Sequence, residues 1–181
     1  VDNAGTVNVT GGALTVAGVT QNGGSLKVSG TGNYVANGEL NSSGSIQLDG
    51  GDLELNSESA VAALAIKAGG VGGSGSLSAS NSFSQSGGEI DMDGMVSLHQ
   101  QSGDLTVGRV SAGELTLSAT NGAISQTAPL QAAMLLTLST GGTVLQNTAN
   151  KIGSFEAFNS GSGDIALVST SKPAQLILNG I

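Results

Sequence analysis

The chain has 181 residues, of which 38% are hydrophobic, 10% charged and 2% aromatic, with 30 Gly; it holds enough apolar material for one domain with a core and too much for a disordered segment. A formal net charge of −8 and a pI near 4.2 exclude a basic groove that tracks a nucleic-acid backbone and disfavour anionic membrane surfaces. With no Cys there are no disulfides, thiolate metal ligands or thiol redox chemistry, and no apolar run reaches the length of a membrane span.

From the N-terminus, the recurring unit is a turn-forming Gly followed by two apolar residues with one polar residue between them. Gly5-Thr6-Val7-Asn8-Val9, Gly12-Ala13-Leu14-Thr15-Val16, Gly24-Ser25-Leu26-Lys27-Val28, Gly44-Ser45-Ile46-Gln47-Leu48 and Gly51-Asp52-Leu53-Glu54-Leu55 are examples. Alternation of this kind predicts strands, each too short to bury a face alone, so they must stack. The Ala-rich stretch Ser59 to Ala68 is the one place that also reads as a short helix. Gly70 to Gly75 is Gly-rich but lacks the helix start and Lys of a phosphate loop, so backbone bending accounts for it.

Three interleaved apolar series run the length of the chain with one period of about 20. The first holds Val7, Leu26, Ile46, Ile66, Phe83, Leu105, Ile124, Val144 and Ile165; the second Leu14, Val35, Leu53, Val71, Ile90, Val110, Leu130 and Ile152; the third Val19, Leu40, Val61, Leu77, Val96, Leu115, Leu136, Phe155 and Leu176. One period shared by three series predicts an all-β, single-stranded parallel β-helix with three strands per turn and about nine turns, stacked at the strand spacing of about 4.8 Å. Pro129 and Pro173 fall just before expected second-series strands, where a ladder N–H is not yet needed. Residues 1–181 form a single repeat segment.

The stretches Gly122-Ala123-Ile124-Ser125-Gln126-Thr127-Ala128-Pro129-Leu130, Gly141-Gly142-Thr143-Val144-Leu145-Gln146-Asn147 onward to Phe155, and Gly163-Asp164-Ile165-Ala166-Leu167 resemble the shaft repeats of filamentous-haemagglutinin-type exoproteins. That resemblance implies a right-handed β-helix and a segment of a longer secreted or cell-surface bacterial protein exported through a two-partner outer-membrane transporter. The Asn-Pro motif of the family's secretion domain is absent, so the likeness is to the shaft and not to the export cap. It implies a structural or adhesive role, with neighbouring turns of a longer chain, end-to-end copies, or surface glycans and proteins as partners.

Candidate chemistry is sparse. Glu89, Asp91 and Asp93 alternate with Ile90 and Met92, which turns all three carboxylates outward, about 6 to 7 Å apart. Such a set serves some β-helix enzymes that cleave acidic polysaccharides, yet only five Lys and Arg are present to grip an anionic sugar, and a solvated face is the simpler reading. Asp52, Asp104 and Asp164 recur in Gly-Asp-(Leu/Ile) without the frame of a calcium-binding β-roll, which makes them turn-edge residues. His99, the only His, is expected at an outward or corner position. Asn8 and Asn41 begin Asn-x-Ser/Thr sequons and face outward. An ice-binding face would need unbroken outward Thr ranks, and the column Ser97, Thr116, Thr137 stops at Glu156.

The sequence therefore assigns no catalytic, cofactor-binding or metal-ligating residue, no cofactor, and no nucleic-acid or membrane-insertion role. The expected function is a non-enzymatic shaft segment, with a self-assembling filament subunit and a carbohydrate-active enzyme as the alternatives. Three structural expectations accompany it. Glu89 and Arg109 stack one turn apart and pair; Gln85, Gln126 and Gln146 point inward or into a corner as a column; and both ends expose apolar core that further turns should cover.

Overall fold

The computed structural model describes residues 1–171 and the backbone of the strand Gln175–Asn179. Pro173 and the side chains of the final apolar stretch, including Leu176, lie outside the described residues. Among those described there is no helix; the chain is strand and turn throughout, coiled into about nine turns of roughly 19 residues. The lower turns contain β1 (Asp2–Asn3), β2 (Thr6–Val16), β3 (Thr20–Asn22), β4 (Ser25–Ala36), β5 (Leu40–Leu55), β6 (Glu58–Gly73) and β7 (Ser76–Gln85). Above them come β8 (Glu89–Met92), β9 (Met95–Gln100), β10 (Leu105–Val107), β11 (Arg109–Ala119), β12 (Ile124–Gln126), β13 (Leu130–Ser139), β14 (Thr143–Leu145), β15 (Lys151–Asn159), β16 (Ile165–Leu167) and β17 (Gln175–Asn179).

Every strand pairing is parallel and joins a residue to one a full turn later, as in Asp2 with Gln21, Gln21 with Asn41 and Asn41 with Ala60. The Ala-rich Ser59–Ala68 stretch is strand, because Ser59 and Val61, and after an irregularity Leu64 and Ile66, alternate into the core between turns that are already extended. Long strands such as β5 bend around the corners, where Gly supplies conformations closed to other residues. Gly73, at φ 125°, is such a case: a Cβ there would lie 2.2 Å from the Leu55 carbonyl oxygen of the turn below.

The strands divide into a 13-stranded sheet and a four-stranded sheet of β10, β12, β14 and β16. A seam separates β7 from β10, at the longest step of the first series, and side-chain amides bridge it. The Phe83 N–H donates to Gln100 Oε1 at 3.0 Å and the Gly108 N–H to Gln85 Oε1 at 2.9 Å.

The observed core columns keep the predicted three-fold order but move several members by one or two residues. In the first column Leu64, not Ile66, stacks on Ile46, and Thr143, not Val144, stacks on Ile124; Val144 is exposed. Tyr34 replaces Val35 in the second column, between Leu14 and Leu53, and Ile152 registers with Ala132 instead of Leu130. In the third, Thr20 replaces Val19, Ser59 replaces Val61 and Leu135 replaces Leu136. The corrections have two causes: Val19, Val35, Leu136 and Val144 are one place off the column and face outward, because neighbours in a strand face opposite ways, whereas Val61, Ile66 and Ile152 stay buried and are displaced by two places through differences in turn length and register.

Candidate functional site

An open recess lined by acidic residues lies on the second-series face. Here Asp52 pairs in register with Gly70, and Gly70 with Glu89; Glu54 pairs with Gly72, and Gly72 with Asp91. The glycine rung has no side chains, so it forms the floor of an open recess of about 390 Å³ with two carboxylates on the turn below and two on the turn above. Its carboxylates are partly committed to the fold. Asp52 Oδ1 accepts from the Gly70 N–H at 3.1 Å, and Glu54 Oε1 accepts from Asn56 Nδ2 at 2.8 Å. Glu89 meets Arg109, its register partner, with Arg109 Nε 3.2 Å from Glu89 Oε2, as the spacing predicted. Both partners are more than half exposed, so the pair contributes under about 1 kcal/mol.

Asp91 and Asp93 are exposed like Glu89, on the outward side of the alternation. Among the described residues no group of three or more His, Asp or Glu is placed to hold a metal ion. Asp104 acts like Asp52, its Oδ1 accepting from the Ala123 N–H of the next turn at 2.8 Å, which gives the Gly-Asp units a turn-linking role. His99 is half-buried at an outward position with Nε2 3.3 Å from Thr120 Oγ1. Asn8 is exposed, while Asn41 is half-buried with Nδ2 donating to Glu39 Oε2 at 3.4 Å.

The strongest charged group was not singled out from the sequence. Asp49 lies between two lysines from the turns below and above, Lys27 Nζ at 2.6 Å and Lys67 Nζ at 3.2 Å, and accepts from Gln47 Nε2 at 2.7 Å. The Gln47 hydrogen bond, then the lysines, hold its carboxyl well below the usual carboxylate range. Lys27 and Gln47 register with each other, so the clamp follows from stacking alone.

Of the corner amides, Gln85 is buried, its Nε2 donating to the Gly88 and Arg109 carbonyls. Gln126 is half-buried, but Gln146 is exposed and leaves the predicted column. The partner of Gln126 is the fully buried Asn150: Gln126 Nε2 donates to Asn150 Oδ1 at 2.8 Å and Asn150 Nδ2 returns a bond to Gln126 Oε1 at 2.9 Å. Asn150 also accepts from the Leu130 N–H and donates to the Val168 carbonyl, tying three turns together. A second amide ladder, Asn3 to Asn22 to Ser42, links the first three turns at another corner.

These features define the class: a parallel β-solenoid repeat protein whose polar side chains mostly bind one turn to the next. Within it, residues 93–159 match the family described as repeats of unknown function (DUF5649). The matched stretch runs from the last carboxylate of the Glu89–Asp93 cluster to the end of β15. No curated protein and no solved structure matches the chain.

Proposed function

We propose that this chain is a structural shaft segment of a secreted or cell-surface bacterial exoprotein, one that spaces or displays adhesive or effector regions and performs no catalysis of its own. The observation that carries the reading is the turn-on-turn pairing that runs through the 13-stranded sheet from β1 to β17, in which the conspicuous polar groups serve the stack. Asp49 clamps three turns, Asp52 and Asp104 each hold the next turn's amide, and Asn150 joins three. A rod with these internal links transmits position and leaves its surface free to vary. The resemblance of its repeats to filamentous-haemagglutinin-type shafts supports export through a two-partner outer-membrane transporter.

The test is where the segment is found on the cell. Antibody raised against this segment should label intact cells of the source bacterium and lose that labelling when the partner transporter gene is deleted. Labelling only after the cells are broken open would refute a surface shaft.

A further inference from the structure

We propose that the outer face of β13 and β15, from Met134 through Leu136 and Leu138 to Phe158, is a docking surface for a polypeptide partner that presents apolar side chains within a Lys/Arg-rich surface. This goes beyond the shaft reading, because a spacer needs no such face.

The first observation is that β13 is apolar on the wrong side. Leu135 points into the core, but so do Thr137 and Ser139, while Met134 and Leu138 are exposed at 42% and 38%. Among the described residues the buried hydroxyls meet one another, Ser139 with Thr143 and Thr143 with Thr137, each at 3.4 Å. A slip of one residue would bury Leu136 and Leu138 and return Thr137 and Ser139 to water, since parity alone decides the face. The observed register keeps Leu135 inside and leaves Thr137 and Ser139 inside with it. The next rung repeats it: Asn159 is buried, and Phe158, in register with Leu138, is 37% exposed. Local rules broken in this way mark a surface kept for contact.

The second observation is charge. On the turn below, the same outward positions are Glu114, Thr116 and Ser118, so the apolar patch is local and ends on polar residues. Glu114 pairs with Met134 from the turn below and Glu156 with Leu136 from the turn above, so a carboxylate borders the patch on each side; Asp2 and Glu58 occupy outward positions of the same side several turns lower. Among the described residues Lys27 and Lys67 flank Asp49 and Arg109 pairs with Glu89, away from the patch, while Lys151 opens β15 in register with Gln131, before the stretch that carries the apolar residues. A second copy docked through this face would set carboxylates against carboxylates. A cationic partner with apolar anchors is matched on both counts.

The experiment uses the 181-residue chain and two labelled seven-residue peptides, one alternating Lys with Leu and one alternating Lys with Ser, read by fluorescence anisotropy. The Lys/Leu peptide should bind at least tenfold tighter than the Lys/Ser peptide. The double substitution Leu138→Ser with Phe158→Ser should remove that advantage, Val144→Ser on the four-stranded sheet should preserve it, and Glu114→Gln should weaken binding and flatten its salt dependence. Equal binding of the two peptides, or of the double variant and the parent, overturns the proposal. So does a parent chain that sediments as a dimer and is dispersed by the double substitution, because the face would then belong to a second copy. Should the double variant unfold in a circular-dichroism melt, hydrogen exchange on the parent decides: peptide-induced protection centred on Met134 to Ser139 supports the surface, and protection elsewhere overturns it.

Discussion

At the scale of single residues, Asp49 shows how stacking makes strong polar contacts from unremarkable positions. Lys27, Gln47 and Asp49 converge because successive turns lie about 4.8 Å apart, and Lys67 closes the group from the turn above. A carboxyl pKa below its unfolded value means that the folded chain binds fewer protons, so the contribution is fully present above about pH 3.9 and is lost as pH falls below it. Asp49→Asn should therefore lower the melting temperature by a few degrees at pH 7, and the gap between variant and parent should close as the melts are repeated toward pH 2. Because the Asp49 side chain is still 22% exposed, 1 M salt should narrow the gap too. A gap that stays constant from pH 7 to pH 2 would show that the clamp contributes nothing electrostatic.

At the scale of elements, the seam between β7 and β10 is where the ladder fails and side chains replace it. Gln85→Ala would leave the buried Gly108 N–H without its acceptor, at about 1–3 kcal/mol, whereas Gln146→Ala removes only an exposed amide and should be neutral. Hydrogen exchange checks this directly, since the Gly108 amide should lose protection in the first variant and keep it in the second. The same contrast shows what the sequence could convey. Period and alternation were legible, and with them the strands, the three columns and the Glu89–Arg109 pair, because each depends on residues at fixed offsets. Parity was not always legible: Val144 and Leu136 are apolar and one place from the column, and only the register shows that Thr143 and Leu135 are the inward residues. Gln146 was misplaced for the same reason. Asn150 lay in a Thr-Ala-Asn-Lys loop with no alternation to mark it, so its place at the centre of an amide network depends on three turns being brought together.

At the scale of the whole molecule, stability is a sum over neighbouring turns, so a complete turn is the natural unit of insertion and removal. Residues 20–39 form such a unit. Thr20 registers with Leu40, Leu26 with Ile46, and Tyr34 with Leu53, and the turn below presents Val7 under Leu26 and Leu14 under Tyr34. Deleting 20–39 joins Val19 to Leu40, sets Val7 beneath Ile46 and Leu14 beneath Leu53, and brings Asn3 under Ser42 in place of Asn22; the buried Thr20–Tyr34 hydrogen bond leaves with both of its partners. No column is broken, and Asp49, which loses Lys27, keeps Lys67 and Gln47 as partners. The shortened chain should therefore fold with the parent's β-type circular dichroism, and a chain carrying 20–39 twice should fold as well. The two should differ in maximum dimension by about 10 Å in small-angle scattering, two rungs at the strand spacing. Deleting 20–29 alone joins half-turns out of phase, puts polar residues into apolar columns and should abolish cooperative melting. If the half-turn deletion folded as well as the whole-turn deletion, the rungs would not be the units that hold this rod together.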